Sequence, residues 1–234
     1  MIKYILCEET KEHNGVILHR IRAIRSFGGI TEGDYGGWIE KESNLSHRGT
    51  CWIYPHAKVY NLAEVFGSAL VCNSAEVSER AEIFGNGKVL DEARVFGTAR
   101  VYGDSVVDNR ARVGDHAEVY GRARIDCCAV ICGHAKAYGY SCVTDRGEVS
   151  DNALIFDVGF AGGNAKVYDN AKIGGYGRVE GSAHVYGNAE IKDCGVVGGT
   201  AQVFGNATVT ADNVVLGGRS AGTHRRHKNE HVTL

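Results

Sequence analysis

The sequence predicts an all-β protein wound as a parallel solenoid, and three observations predict it. The phrase Ala-x-Val-x-x-x recurs every six residues from Ala57 to Gly218, in 27 consecutive hexads without an insertion or deletion. The fifth position of that phrase is Gly in 14 hexads and Asn or Asp in ten. The 234 residues hold 32 Gly and a single Pro, which excludes collagen-like and Pro/Gly-rich linker structure and is too much Gly for a helical domain.

The charge balance is 26 Lys+Arg against 28 Asp+Glu, formally −2, so no global basic field points to nucleic acid or a membrane surface. Hydrophobic residues at 44% and charged residues at 23% exclude wholesale disorder. The segment Met1-Ile-Lys-Tyr-Ile-Leu-Cys-Glu-Glu reaches acidic residues before any secretory apolar region forms. No apolar run approaches the ~18 residues of a membrane span. A cytoplasmic chain is therefore expected. Its eight cysteines (7, 51, 72, 127, 128, 132, 142 and 194) show no Cys-x2-Cys zinc spacing and are expected to be reduced thiols.

Taken in order, residues 1–56 break the period and are expected to form a β-rich cap. Tyr4–Glu8 and Val16–Ile24 are β-rich runs around an Asn14-Gly15 pair, a hairpin signal. The first coil of a solenoid leaves an unpaired edge, and the hairpin with a Trp38/Trp52 plug is the economical way to cover it. Residues 57–218 follow as the solenoid. Positions one and three of each hexad alternate with polar or aromatic neighbours, so each hexad reads as a short strand with two inward side chains. The first is Ala in 19 hexads, small enough for a tight corner, and the third is Val or Ile in 25. The Gly/Asn/Asp column marks a bend at positive φ, which these residue types tolerate. Residues 219–234 form a basic tail with Arg219, Arg225, Arg226 and Lys228 against Glu230, and with His224, His227 and His231. A solvated terminus is the expectation there.

The motif Val185-Tyr186-Gly187-Asn188-Ala189 and its copies over 57–218 resemble the hexapeptide-repeat family. That resemblance implies a left-handed triangular β-helix with three sides per coil. Eighteen residues per coil then make about nine coils, at ~4.8 Å each roughly 43 Å long. Gly36-Gly37-Trp38-Ile39-Glu40-Lys41-Glu42, with Asn44-Leu45-Ser46, looks like the cap of hexapeptide-repeat proteins of bacteriophages and prophages. This second resemblance implies a phage-type protein acting in a host cytoplasm, and it carries no catalytic residue across.

Every eighteenth residue shares a face. The fourth hexad position reads Phe66, Phe84, Tyr102, Tyr120, Tyr138 and Phe156 on one face, and Tyr60, Phe96, Tyr168, Tyr186 and Phe204 on another. The third is mixed: Cys72, Leu90, Asp108, Asp126, Thr144, Gly162 and Glu180. Stacked rings stabilise a parallel ladder. A stripe of six also exposes apolar area on the scale of an interaction patch. The expected interface residues are therefore Phe66, Phe84, Tyr102, Tyr120, Tyr138, Phe156, Tyr168, Tyr186 and Phe204. The expected partners are further copies of this chain or a host protein, such as one of a defence system, with no membrane, nucleic acid, cofactor or metal.

Most characterised hexapeptide-repeat proteins are acyltransferases, in which a His acts as general base and an external loop commonly interrupts the hexads to wall the acyl-donor site, so the resemblance makes that class the first alternative. Here the hexads run uninterrupted, and the candidates are His116 and His134, one coil apart at a corner beside Asp115, Asp151 and Asn152. A surface corner without a covering loop is expected to offer no pocket. The three converging histidines of a zinc carbonic anhydrase of this fold and the Thr-x-Thr column of an ice-binding face are both missing. Two readings follow: a non-enzymatic binding or scaffold protein, and an acyltransferase using acyl-CoA with His116 or His134 as base.

Overall fold

A computed structural model describes residues 1–210, 213–221 and the backbone of 223–224. An N-terminal hairpin pairs β1 (Tyr4–His13) with β2 (Val16–Ala23), and β2 pairs in turn with β3 (Tyr35–Ile39). From there two-residue strands recur every six residues and stack into three parallel sheets of 13, 10 and 10 strands, the first including the hairpin. Each sheet forms one side of the coil. We name the sides by an early strand: the Lys58 face, the Glu64 face and the Leu70 face. Within each, a residue pairs with the one 18 further on, as Lys58 with Glu76, Glu64 with Glu82 and Leu70 with Lys88.

The strands form because alternation leaves only one way to hide the apolar residues. The first and third positions, such as Ala57 and Val59, are fully buried and fill the bore. The fourth carbonyl accepts the N–H of the next hexad's first residue, as Ala63 to Tyr60, closing a turn. Every fifth residue from Asn61 to Gly205 lies at positive φ, whether Gly, Asn, Asp, Glu79 or Cys127. Pro55 cannot adopt that conformation, and His56 takes it instead, at φ 74°.

The solenoid is longer than the repeat, with about ten turns. It begins inside the expected cap: Trp38-Ile39 pairs with Lys58-Val59, Leu45 bridges Val65, and Trp52-Ile53 pairs with Leu70-Val71. The boundary at residue 56 therefore moves forward to the end of the hairpin. Gly37 shows why this first coil needs its glycines, since a Cβ there would lie 2.5 Å from the carbonyl oxygen of Tyr54. Asn44 shapes the same coil, its side-chain amide donating to the carbonyls of Asn61 (3.1 Å) and Ala63 (2.8 Å).

The two tryptophans part company. Trp52 is buried with Phe27 edge-on at 5.5 Å and Tyr4 at 6.3 Å, whereas Trp38 is half-exposed beneath the ammonium of Lys11 at 4.1 Å. Only Trp52 lies buried at the capped end. The coil also continues past residue 218. Arg219-Ser220 pairs with Gln202-Val203 at a spacing of 17, and Thr223-His224 pairs with Thr208-Val209. The last hexad has lost a residue, and Gly218 rather than Gly217 makes its left-handed turn. Residues 225–234, with Arg225, Arg226, His227, Lys228 and His231, lie outside the described residues, as does the side chain of His224.

Candidate functional site

The outward side chains are set by the same register that fills the bore. On the Glu64 face, Phe66, Phe84, Tyr102, Tyr120, Tyr138 and Phe156 stack in one column with centroids 4.7–5.6 Å apart and ring planes within 15°. The coil spacing equals the spacing of stacked rings, so each ring covers its neighbours. All six are half-buried and present edges to solvent rather than broad apolar faces. The column ends at Gly174, where a Cβ would lie 2.3 Å from the Phe156 ring.

Charges on the same face lock the column. The Tyr102 hydroxyl donates to Glu118 Oε2 at 2.9 Å, and Lys136 Nζ reaches the same carboxylate at 2.8 Å. Partial burial, then the hydrogen bond to Glu118 and its charge, push the Tyr102 phenol up to about 12. The hydrogen bond from Lys136 holds the Glu118 carboxyl below the ordinary range. Arg100 donates to Glu82 at 3.0 Å while its guanidinium lies 5.0 Å from the Phe84 centroid.

Tyr168, Tyr186 and Phe204 form a second, shorter stack on the Lys58 face at 5.0 and 5.2 Å, capped by the guanidinium of Arg219 over Phe204. Tyr60 and Phe96 stand apart from it. The Tyr60 hydroxyl accepts from Asn14 Nδ2 under the hairpin tip, and the Phe96 ring covers Gly114.

The corner next to the six-ring column holds residues that the sequence reading passed over. Tyr140, Val158 and Tyr176 occupy the sixth position of three successive coils and are 60%, 44% and 65% exposed. Arg122 donates to the Tyr140 hydroxyl at 2.6 Å. The signal was available in the every-eighteenth reading, at position six rather than four.

His116 and His134 stack as expected, with centroids 4.6 Å apart. Their corner is not flat, however. Successive turns leave an open groove of about 630 Å³ lined by Leu62, Arg80, Thr98, Asp115 and both imidazoles. The Thr98 hydroxyl lies 2.6 Å from His116 Nδ1. Asp115 accepts the Gly133 N–H at 2.9 Å and Asp151 that of Asp169 at 3.1 Å, so both carboxylates serve the next turn. Among the described residues no carboxylate pairs with either imidazole, and no group of three His, Cys, Asp or Glu side chains is placed to hold a metal ion. All eight thiols are free. Among the described residues no helix is long and apolar enough to cross a membrane.

No protein-family model matches the chain. Among curated proteins it is similar to the "Uncharacterized acetyltransferase YdcK" of Escherichia coli (strain K12), with 30% identity over 93 residues. The match takes in 36% of this chain and 27% of that protein, so the chain spans about a quarter of the relative's length.

Proposed function

We propose that this chain is a non-enzymatic β-solenoid of phage type that associates with itself or holds a host protein along its flat faces. The observation that carries this reading is the unbroken run of turns. From Asn61 to Gly205 every hexad bends at its fifth residue, and nothing is inserted that would wall a pocket. A groove open along its length does not exclude water, which acyl transfer to a chosen acceptor requires. The ring edges of the six-residue column continue into exposed Tyr140, Val158 and Tyr176, a ridge suited to a partner protein. The phage assignment rests on the Gly36–Glu42 motif.

The test is paired Tyr102→Ser and Tyr120→Ser, followed by sedimentation and by pull-down from a bacterial host lysate. Lost mass or lost capture supports the aromatic column as the surface used; unchanged mass with intact capture removes that column, and a wild type that is a single chain and captures nothing sinks the reading.

Two observations favour acetyl transfer as a second reading: the similarity to an acetyltransferase and the histidine-lined groove. His134, or His116 with its Nδ1 engaged by Thr98, would be the general base. Calorimetry with acetyl-CoA decides it. Binding that His134→Ala abolishes overturns the non-enzymatic reading.

A further inference from the structure

Each face carries nine outward second-position residues between Lys58 and Val214, and the three sets differ sharply. On the Lys58 face only Val130 is apolar, and on the Glu64 face only Leu154. On the Leu70 face six are apolar: Leu70, Val106, Cys142, Phe160, Val196 and Val214. Five of these are half-buried and Val214 is 58% exposed. Nothing in the coil itself asks for this difference, because all three faces bury the same Ala and Val columns inward.

We infer that the Leu70 face is a two-fold interface between two copies of this chain. The inference rests on the self-association half of the proposed function and names the surface. Area is the first argument. About nine coils at ~4.8 Å and a side about 15 Å wide give roughly 650 Å² per copy. Standard stable interfaces take about 600–1,000 Å² from each partner, so the whole face meets the lower end of that range.

Flatness is the second. The Phe160 ring folds over Gly162, where a Cβ would lie 2.6 Å away, and the guanidinium of Arg178 lies over that ring at 4.3 Å. The largest apolar side chain of the face is thus laid flat.

Charge is the third, and it selects the symmetry. Arg124 pairs with Asp108 of the preceding coil at 2.9 Å and with Asp126 two residues on at 3.0 Å, and Arg178 pairs with Glu180 at 3.2 Å. A two-fold axis parallel to the coil axis reverses strand direction across the interface. It therefore lays position two of each coil over position four of the same coil in the second copy. Arg124 then faces Asp126 of the second copy, Arg178 faces its Glu180, and each pair is made twice, as an isologous contact demands. An axis across the coils, centred on Cys142, sets Asp108 against Glu180 instead, two carboxylates already paired within their own chains, and so adds no opposite-charge contact there.

Analytical ultracentrifugation of the full chain tests this. The wild type is expected to sediment at twice the 25.2 kDa chain mass across a concentration series. Val106→Lys combined with Phe160→Lys, with unchanged circular dichroism, is expected to sediment as one chain. Arg178→Glu alone and Glu180→Arg alone are each expected to weaken association about ten-fold or more. An equimolar mixture of those two variants is expected to restore the dimer, which loss of the pair within one chain cannot do. A mixture that stays monomeric, or a wild-type mass of three chains, overturns the proposed symmetry. A dimer indifferent to Val106→Lys and Phe160→Lys but lost with Tyr102→Ser overturns this face and leaves self-association standing. A wild type that is monomeric throughout overturns the face and self-association together, while lysate capture still reports separately on a host partner.

Discussion

Tyr102 ties the aromatic column to the charge ladder beside it, and its ionisation is a measure of that tie. Its phenol rises from 10.0 to about 12 through partial burial, the hydrogen bond to Glu118 and that residue's charge. A folded value above the unfolded one means that the unfolded chain ionises first. The contribution to stability is therefore complete below pH 10 and lost as pH rises from 10 to about 12. Glu118 runs the other way. With its carboxyl held below 4.5, its contribution is complete above 4.5 and lost as pH falls through the folded value. A phenolate absorbance titration is expected to show a component near pH 12 that Tyr102→Phe removes and Glu118→Gln shifts down. Identical curves for wild type and Tyr102→Phe would refute the assignment. The column itself was legible in the sequence, because a period of 18 puts Phe66 to Phe156 in line. The partnership of Tyr102 with Glu118 was not, since it depends on which rotamers neighbouring coils leave open.

The turn is the element that repeats, and its chemistry goes beyond tolerance of positive φ. Asp145 lies at φ 59°, and its Oδ2 accepts the N–H of Gly163, the fifth residue of the coil above, at 2.8 Å. Asp157 accepts from Gly175 and Asp169 from Gly187 in the same way, and Glu79 from Gly97. Acidic residues in this column therefore join one turn to the next. In the sequence alone Gly, Asn and Asp are equivalent at the bend, because conformational tolerance is visible in one hexad and a bond across 18 residues is not. Asp145→Ala keeps a Cβ in the left-handed region and loses the acceptor. It is expected to cost about 1–2 kcal/mol in urea unfolding. Asp145→Gly loses the acceptor but relieves the backbone, so it is expected to cost less than Asp145→Ala. Equal losses for the two variants would show that the side-chain bond alone matters, and no loss in either would remove the rung altogether.

At the scale of the molecule, stability is nearly a sum over coils, each touching only its neighbours, so whole coils are interchangeable while faces are not. The two ends escaped the sequence reading for this reason. Coil one pairs Trp38 with Lys58 at a spacing of 20, and the last described coil pairs Gln202 with Arg219 at 17. A search for strict hexads stops where the spacing first slips, although hydrogen bonding does not. The different polarity of the Leu70 face was in the sequence all along, at position two, where the longest side chains point outward. Deletions separate what a hexad preserves from what a coil preserves. Removing residues 105–122 takes out 18 residues and leaves every later strand on its own face. Removing 105–110 takes out one side, so the turn pattern survives but every later strand moves round by one face. Lys166, His184 and Gln202 then follow Leu70 and Lys88 in line, while Arg124, Phe160, Arg178 and Val196 stay together but follow Glu64, Glu82 and Arg100. Both variants are expected to fold with wild-type circular dichroism, since Ala and Val columns remain continuous in each. The 18-residue deletion is expected to sediment as a dimer, and the six-residue deletion, which separates Leu70 and Lys88 from the rest of the apolar face, to dimerise more weakly. If the shorter deletion dimerises as well as the longer one, the Leu70 and Lys88 end of the face contributes nothing to association, and the interface lies between Arg124 and Val214 or elsewhere.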